Sequence, residues 1–325
     1  MDVKSYKPLK GDISPRFTQI STFARLPMHS GKFEEDCVFI GVPYDGSTSF
    51  KTGSRMAPSA IREASRNLRE YNYYQKINPY EIIRVSDYGD ININPMNAIK
   101  TFELIESELG VLLDNGITPM IAGGDHSITL PSLRAISKKY GKVNVVHFDA
   151  HFDFWDNYWG ERYTHSTWLR RAFEENLVKS AVQLGIRAPL YDKTDMDYLG
   201  EMKNKITVFD ATEIRKKGVH NILDEIYRIL TGDIPTYITF DIDAIDPAFA
   251  PGTGAPEISG LYTDEVMDFL RGLKRYNLVG IDVVEVIPSY DDKNNITSLV
   301  AANIFYEFMC SRALLIKGGR KNVRG

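Results

Sequence analysis

Cysteine is almost missing. Cys37 and Cys310 are the only two in 325 residues, which excludes a disulfide framework, and they match no metal-binding spacing. An excess of positive charge is missing too. The formal net charge is −4, so the chain carries no electrostatic footprint for nucleic acid or an anionic membrane. The N-terminus, Met1-Asp-Val-Lys-Ser-Tyr-Lys7, lacks the apolar core of a signal peptide. No apolar run approaches the length needed to span a bilayer. No Gly/Ser/Pro linker, internal repeat or low-complexity tract divides the chain. These absences predict a cytoplasmic protein with neither a nucleic-acid nor a membrane partner. They also predict a polar arm or cap over 1–36 leading into a single domain over 37–325. With 43% hydrophobic and 25% charged residues, the balance is that of a globular chain able to bury a large core.

What is present is a regular alternation. Short apolar strands are expected at Cys37–Val42, Ile82–Val85, Ile117–Ala122, Val143–His147, Ala181–Ile186, Ile206–Phe209, Tyr237–Phe240 and Leu278–Ile281. Helical patterns fall between most of them. One is opened by Pro58, another spans Met96–Leu113 and stops at Asn115-Gly116, and others cover 219–230, 263–275 and 298–314. Strands alternating with helices imply parallel pairing, right-handed crossovers and helices on both faces, an α/β fold with a mostly parallel central sheet.

Chemically loaded residues follow four of these strands: His126, then Asp149, His151 and Asp153, then Asp241 and Asp243, then Glu285. Asp149, His151 and Asp153 occupy every second position, so an extended backbone points them to one side. Carboxylates gathered this tightly need a positive partner. In a parallel sheet, sites form beyond the carboxyl ends of strands, so the four segments should converge on one edge. His126, Asp149, His151, Asp153, Asp241 and Asp243 exceed the four ligands of a tetrahedral zinc site. They suit a two-metal cluster instead. Oxygen-rich ligation with some imidazole and no thiolate favours two Mn²⁺ over Zn²⁺, with Fe, Co and Ni left open by affinity order. Gly123-Gly124 lacks the Lys-Ser/Thr of a P-loop, which removes the phosphate-cradle reading.

Gly123-Gly-Asp-His-Ser127, Asp149-Ala-His-Phe-Asp153, Asp241-Ile-Asp-Ala-Ile-Asp-Pro247 with Pro251-Gly-Thr-Gly254, and Asp282-Val-Val-Glu-Val286 resemble the ureohydrolase (arginase/agmatinase) family. The resemblance runs from about Val38 to the C-terminus and is closest to agmatinases. It implies a three-layer α-β-α fold, a binuclear manganese centre bridged by Asp149 and Asp241, and a homotrimer or homohexamer. The activity implied is hydrolysis of a small cationic guanidino substrate, agmatine to putrescine and urea, by a hydroxide bridging the two metals; putrescine formation would place it in polyamine biosynthesis. Glu285 would hold the guanidinium through a planar fork. Asp153 resembles the family's proton carrier, and His165 the residue that exchanges protons with solvent.

The other histidines carry no such pattern. His147 reads as a hydrogen-bonded core histidine supporting the metal ligands, and His29 and His220 as surface residues. Trp155, Trp159 and Trp168 fall close together among other aromatics, either as an aromatic wall beside the metals or as packing beneath the loop. In that loop Trp155 can line a substrate chain, Asp156 or Glu161 can hold an ammonium, and Arg162 can hold a carboxylate. A guanidino acid such as 4-guanidinobutyrate is therefore the close alternative, followed by arginine and formiminoglutamate. Outside the class stand a two-metal phosphoesterase, disfavoured by the acid-rich site segments, and a non-catalytic homologue, disfavoured because no ligand is missing.

Overall fold

The computed structural model describes residues 6–231 and 233–319. Eight strands form its sheet: β1 (Cys37–Gly41), β2 (Val85–Asp90), β3 (Thr118–Ala122), β4 (Val143–Phe148), β5 (Val178–Ile186), β6 (Ile206–Asp210), β7 (Thr236–Asp241) and β8 (Leu278–Val284). Their order is β2-β1-β3-β8-β7-β4-β5-β6, and every neighbouring pair is parallel. The expected mostly parallel sheet is wholly parallel.

Alternation along the strands divides the core in two. Val38 and Ile40 of β1, with Val143 and Val145 of β4, face one side; Cys37 and Phe39, with Val146 and Phe148, face the other. The first face is covered by helices α2 (Ala98–Asp114), α3 (Thr129–Tyr140) and α4 (Trp168–Glu174), with α5 (Thr194–Glu201) near its edge. The second is covered by α1 (Ala57–Ser65), α6 (Ala211–Lys217), α7 (Val219–Ile229), α8 (Thr263–Gly272) and α9 (Ile296–Lys317). The result is the three-layer α-β-α architecture. The chain before β1 packs on this core, with Phe23 stacked on Phe39 at a ring-centroid distance of 4.4 Å.

Two local expectations need correction. The strand expected at Ile82–Val85 begins only at Val85. Asn78 accepts the Tyr80 N–H and caps a short 3₁₀ turn over Pro79–Glu81, so Ile83 is buried without pairing in the sheet. The second concerns apolar length. Among the described residues α9 is one helix long and apolar enough to cross a bilayer, but 78% of its apolar window is buried inside the fold. It is a core helix covered by α1, α8 and β8.

Candidate active site and metal centre

The sheet order explains why distant motifs meet. β3, β8, β7 and β4 are consecutive in the sheet, and these four strands carry His126, Glu285, the Asp241–Asp243 pair and the Asp149–Asp153 segment at their carboxyl ends. Neighbouring strands lie about 4.8 Å apart, so all four segments open onto one small region. A close backbone approach completes the placement. A Cβ on Gly124 would lie 1.6 Å from the Tyr44 carbonyl, so only glycine lets this segment pass. The Asp125 N–H then donates to that carbonyl at 2.9 Å, and the Glu285 N–H donates to the Gly124 carbonyl at 2.9 Å.

His126 sits at the centre. Its Nδ1 is 3.1 Å from Asp149 Oδ2, 3.2 Å from Asp153 Oδ2 and 3.3 Å from Asp241 Oδ2. None of these is aligned as a hydrogen bond, so Nδ1 is a buried polar atom without a partner. Its Nε2 meets Thr239 Oγ1 at 2.9 Å, which fixes the ring. On the other side of Asp149, His151 Nδ1 is 3.3 Å from Asp149 Oδ1 and 3.1 Å from Asp243 Oδ2. Asp149 thus belongs to both groups, one with His126, His147 and Asp153, the other with His151 and Asp243.

The electrostatics of this cluster are those of a site built around a cation. Burial alone would keep His126 neutral, but Asp149, Asp153 and Asp241 outweigh it and hold its pKa well above the ordinary imidazole value. Burial, Asp243 and Asp149 together push the Asp241 carboxyl well above the usual range. Burial would raise Asp149 as well, yet His147, His126 and His151 hold it well below that range. A set of carboxylate oxygens and imidazole nitrogens, buried and aimed at one another around an orphaned Nδ1, fits divalent cations.

Glu285 and His165 stand beside this cluster. Glu285 follows β8 with φ 60° and Asp153 has φ 57°, a left-handed conformation that is uncommon away from glycine and recurs at functional sites. Glu285 Oε1 accepts the His126 N–H at 2.9 Å. Burial and then Asp125 hold the Glu285 carboxyl well above its ordinary pKa. Burial likewise pushes Asp125 up to about 6. His165 Nε2 meets Ser49 Oγ at 2.8 Å, with Ser166 Oγ at 3.3 Å, and its Nδ1 is 3.9 Å from Glu285 Oε1. Burial lowers its pKa. A cavity of about 700 Å³ opens onto these groups, lined at its inner end by Asp153, Asp241, Asp243 and Glu285 and further out by Phe50, Trp155, Tyr158 and Tyr191.

The chain matches the arginase family model over residues 35–311. It is 44% identical to a guanidinobutyrase of Pseudomonas aeruginosa over 315 residues, 95% of this chain and 98% of that protein. It is 41% identical to an agmatinase of Salmonella paratyphi B over 297 residues, 90% of this chain and 92% of that protein. Its structure is similar to that of a proclavaminate amidino hydrolase from Streptomyces clavuligerus, with TM-score 0.87 and 38% identity over 92% of this chain and 99% of that one. The chain belongs to the arginase family. As an arginase-family amidinohydrolase it hydrolyses a guanidino compound, and the buried His/Asp cluster is compatible with the family's binuclear metal site.

The structure brings together all six residues expected as ligands, with Glu285 and His165 beside them. It does not bring Asp156 to the cavity. Arg171 donates to Asp156 at 2.7 Å, and Arg162 pairs with both Asp156 and Glu174. Asp156 and Arg162 are therefore engaged with neighbours on and near α4, and neither these two nor Glu161 lines the site. The aromatic loop divides. Trp155 and Tyr158 line the cavity, Trp159 is 76% exposed, and Trp168 is buried. His29 is not a free surface residue, because its Nδ1 lies 2.9 Å from the buried Glu35.

Sequence reasoning anticipated His147 as a support and missed the others. Trp168 donates from Nε1 to Asp153 Oδ2 at 2.6 Å, with its ring centroid 4.8 Å from that of His126. His147 Nε2 lies 2.7 Å from Asp149 Oδ2, while Gln183 holds its Nδ1 at 2.9 Å. Thr239 ties His126 to Asp282, donating to Oδ1 at 2.6 Å. Asp125 accepts the Ser47 N–H at 2.8 Å, joining the His126 turn to the loop that reaches His165. The parity of Thr239, two residues before Asp241 in an apolar strand, was the one available signal.

Proposed function

We propose that this chain hydrolyses agmatine to putrescine and urea with two Mn²⁺, which His126, Asp149, His151, Asp153, Asp241 and Asp243 would hold. The observation that carries the substrate is charge. Of the six carboxylates lining the cavity, Asp153, Asp241 and Asp243 go to the metals and Glu285 to the guanidinium, which leaves Asp195 and Glu257 for a second cation, against Lys51 as the one lysine or arginine among the described lining residues. A substrate with a cation at each end complements that wall. Bound divalent ions supply an acidified water as the nucleophile near neutral pH.

The chain's own groups do the rest. Glu285, with Oε1 held by the His126 N–H, presents its carboxylate to the planar guanidinium as a fork. Asp153, fixed by Trp168, carries the proton that the departing amine requires. His165, on Ser49 beside the cavity, exchanges the attacking water's other proton with solvent. Burial lowers the His165 pKa. The acid limb of kcat/KM should therefore fall below the ordinary imidazole range. His165→Asn should slow turnover and remove that limb, and added imidazole should restore part of the rate. A pH–rate profile that keeps the limb in the variant would reject this role.

A second reading, a guanidino acid such as 4-guanidinobutyrate, is favoured by Lys51, whose Nζ lies 4.8 Å from the Tyr290 ring, and by the identity to the guanidinobutyrase. Urea release from agmatine, 4-guanidinobutyrate, 3-guanidinopropionate and arginine with Mn²⁺ separates the two. Agmatine is expected to give the highest kcat/KM; a higher value for 4-guanidinobutyrate would overturn the agmatine assignment. We also infer a homotrimer or homohexamer, supported by the exposed Tyr71, Tyr73 and Tyr74. A cytoplasmic setting is supported by the two buried free thiols.

A further inference from the structure

Arg187 follows β5, and its guanidinium makes no carboxylate pair among the described residues. Its donors go to backbone carbonyls. Nε donates to Ile258 at 3.0 Å, Nη1 to Gly185 and Ala244 at 3.1 Å, and Nη2 to Asp243 at 2.8 Å and Glu257 at 2.6 Å. These carbonyls belong to three pieces of chain: the end of β5, the turn after β7 that carries Asp243, and the cavity rim at Glu257 and Ile258. The backbone of Arg187 closes a ring with a fourth piece. Its N–H donates to the Ala150 carbonyl at 3.0 Å, and the Ala150 N–H donates to Asp243 Oδ1 at 3.0 Å. Space around the guanidinium is reserved as well. A Cβ on Gly260 would lie 2.6 Å from Arg187 Nη2 and 2.5 Å from the Asp246 nitrogen.

A planar guanidinium offers five N–H groups in a fixed fork, which lysine cannot reproduce. Turn carbonyls left without donors in a buried setting are costly. Arg187 therefore meets the hydrogen-bond needs of two loops that both line the cavity. Its contacts are with carbonyls, so the group is held in place by hydrogen-bond geometry and not by an ion pair.

We propose that Arg187 is a positioning residue that locks the Asp243 turn to the Glu257–Ile258 rim, setting together the occupancy of the metal position beside His151 and the grip on the substrate's far end. The proposal rests on the metal-dependent hydrolase reading above, which wild-type urea release tests separately. Arg187→Gln and Arg187→Lys, stripped with chelator, would be titrated with Mn²⁺ and followed by calorimetry. Groups that orient metal ligands typically contribute about 10–100-fold to metal affinity. One of the two binding events should weaken by about that factor in Arg187→Gln and less in Arg187→Lys, while the other stays near wild type. At saturating Mn²⁺, KM for the preferred substrate should rise severalfold more than kcat falls. Wild-type affinity at both positions with an unchanged KM would overturn the proposal. So would equal weakening of both positions, or failure of both variants to fold by circular dichroism, because each would make Arg187 a general structural residue.

Discussion

Glu285→Gln is expected to lower kcat/KM for urea release by roughly 10²–10³-fold, the loss that follows removal of one partner from a buried charge pair. Metal content should stay at the wild-type level. Gln is the informative substitution. It keeps an oxygen that can accept the His126 N–H, now held at 2.9 Å, and it leaves the side-chain length suited to the left-handed backbone at φ 60°. What it removes is the charge proposed to face the guanidinium. Glu285→Ala should give a similar kinetic loss plus a stability cost of about 1–3 kcal/mol, because a buried N–H loses its acceptor. Steady-state urea kinetics with elemental analysis of the same preparations checks both. If metal is lost along with turnover, Glu285 supports the metal cluster instead of reading the substrate.

Asp241→Asn should abolish activity and metal loading together, yet change stability in opposite directions with and without metal. Without metal, burial, Asp243 and Asp149 hold the Asp241 carboxyl well above its usual range. The folded state then binds a proton more tightly than the unfolded state. Stability is greatest below the unfolded carboxyl pKa and is lost as pH rises through the raised folded value. Asn removes that cost, so in chelator at neutral pH the variant should melt at or above wild type, by a few degrees at most. With Mn²⁺ the wild type gains stability through binding to the folded state alone, and the variant should gain far less. Melting curves with and without metal read both signs. A variant less stable in chelator, or equally stabilised by Mn²⁺, would contradict the role given to Asp241.

The sheet and the convergence of the proposed ligands on one edge were legible because parallel α/β chains bury their strands on both faces and gather chemistry beyond the strand ends. Val143–Phe148 is buried at every position, and its valines at 143, 145 and 146 are visible in the sequence as a strand signal. What the sequence does not contain is the order β3-β8-β7-β4, and that order is what makes four motifs neighbours. The supports are hidden for a related reason. Trp168 reaches Asp153 only because α4 folds back over the loop between them, and Arg187 acts through carbonyls, which every residue possesses. Asp156 shows how residue type misleads. Beside aromatics it reads as an ammonium holder, but Arg171, one helical turn into α4, takes it first. Ile82 and Ile83 mislead in the same way, since apolar side chains can be buried from a turn as well as from a strand.

Anomalous diffraction at the manganese edge, on crystals of the full chain reloaded with Mn²⁺, tests the central claim most directly. The account predicts two peaks per chain on either side of the Asp149 carboxylate, one beside His126 and Asp153 and the other beside His151 and Asp243. A single peak, or ions bound away from Asp149 and Asp241, would contradict it.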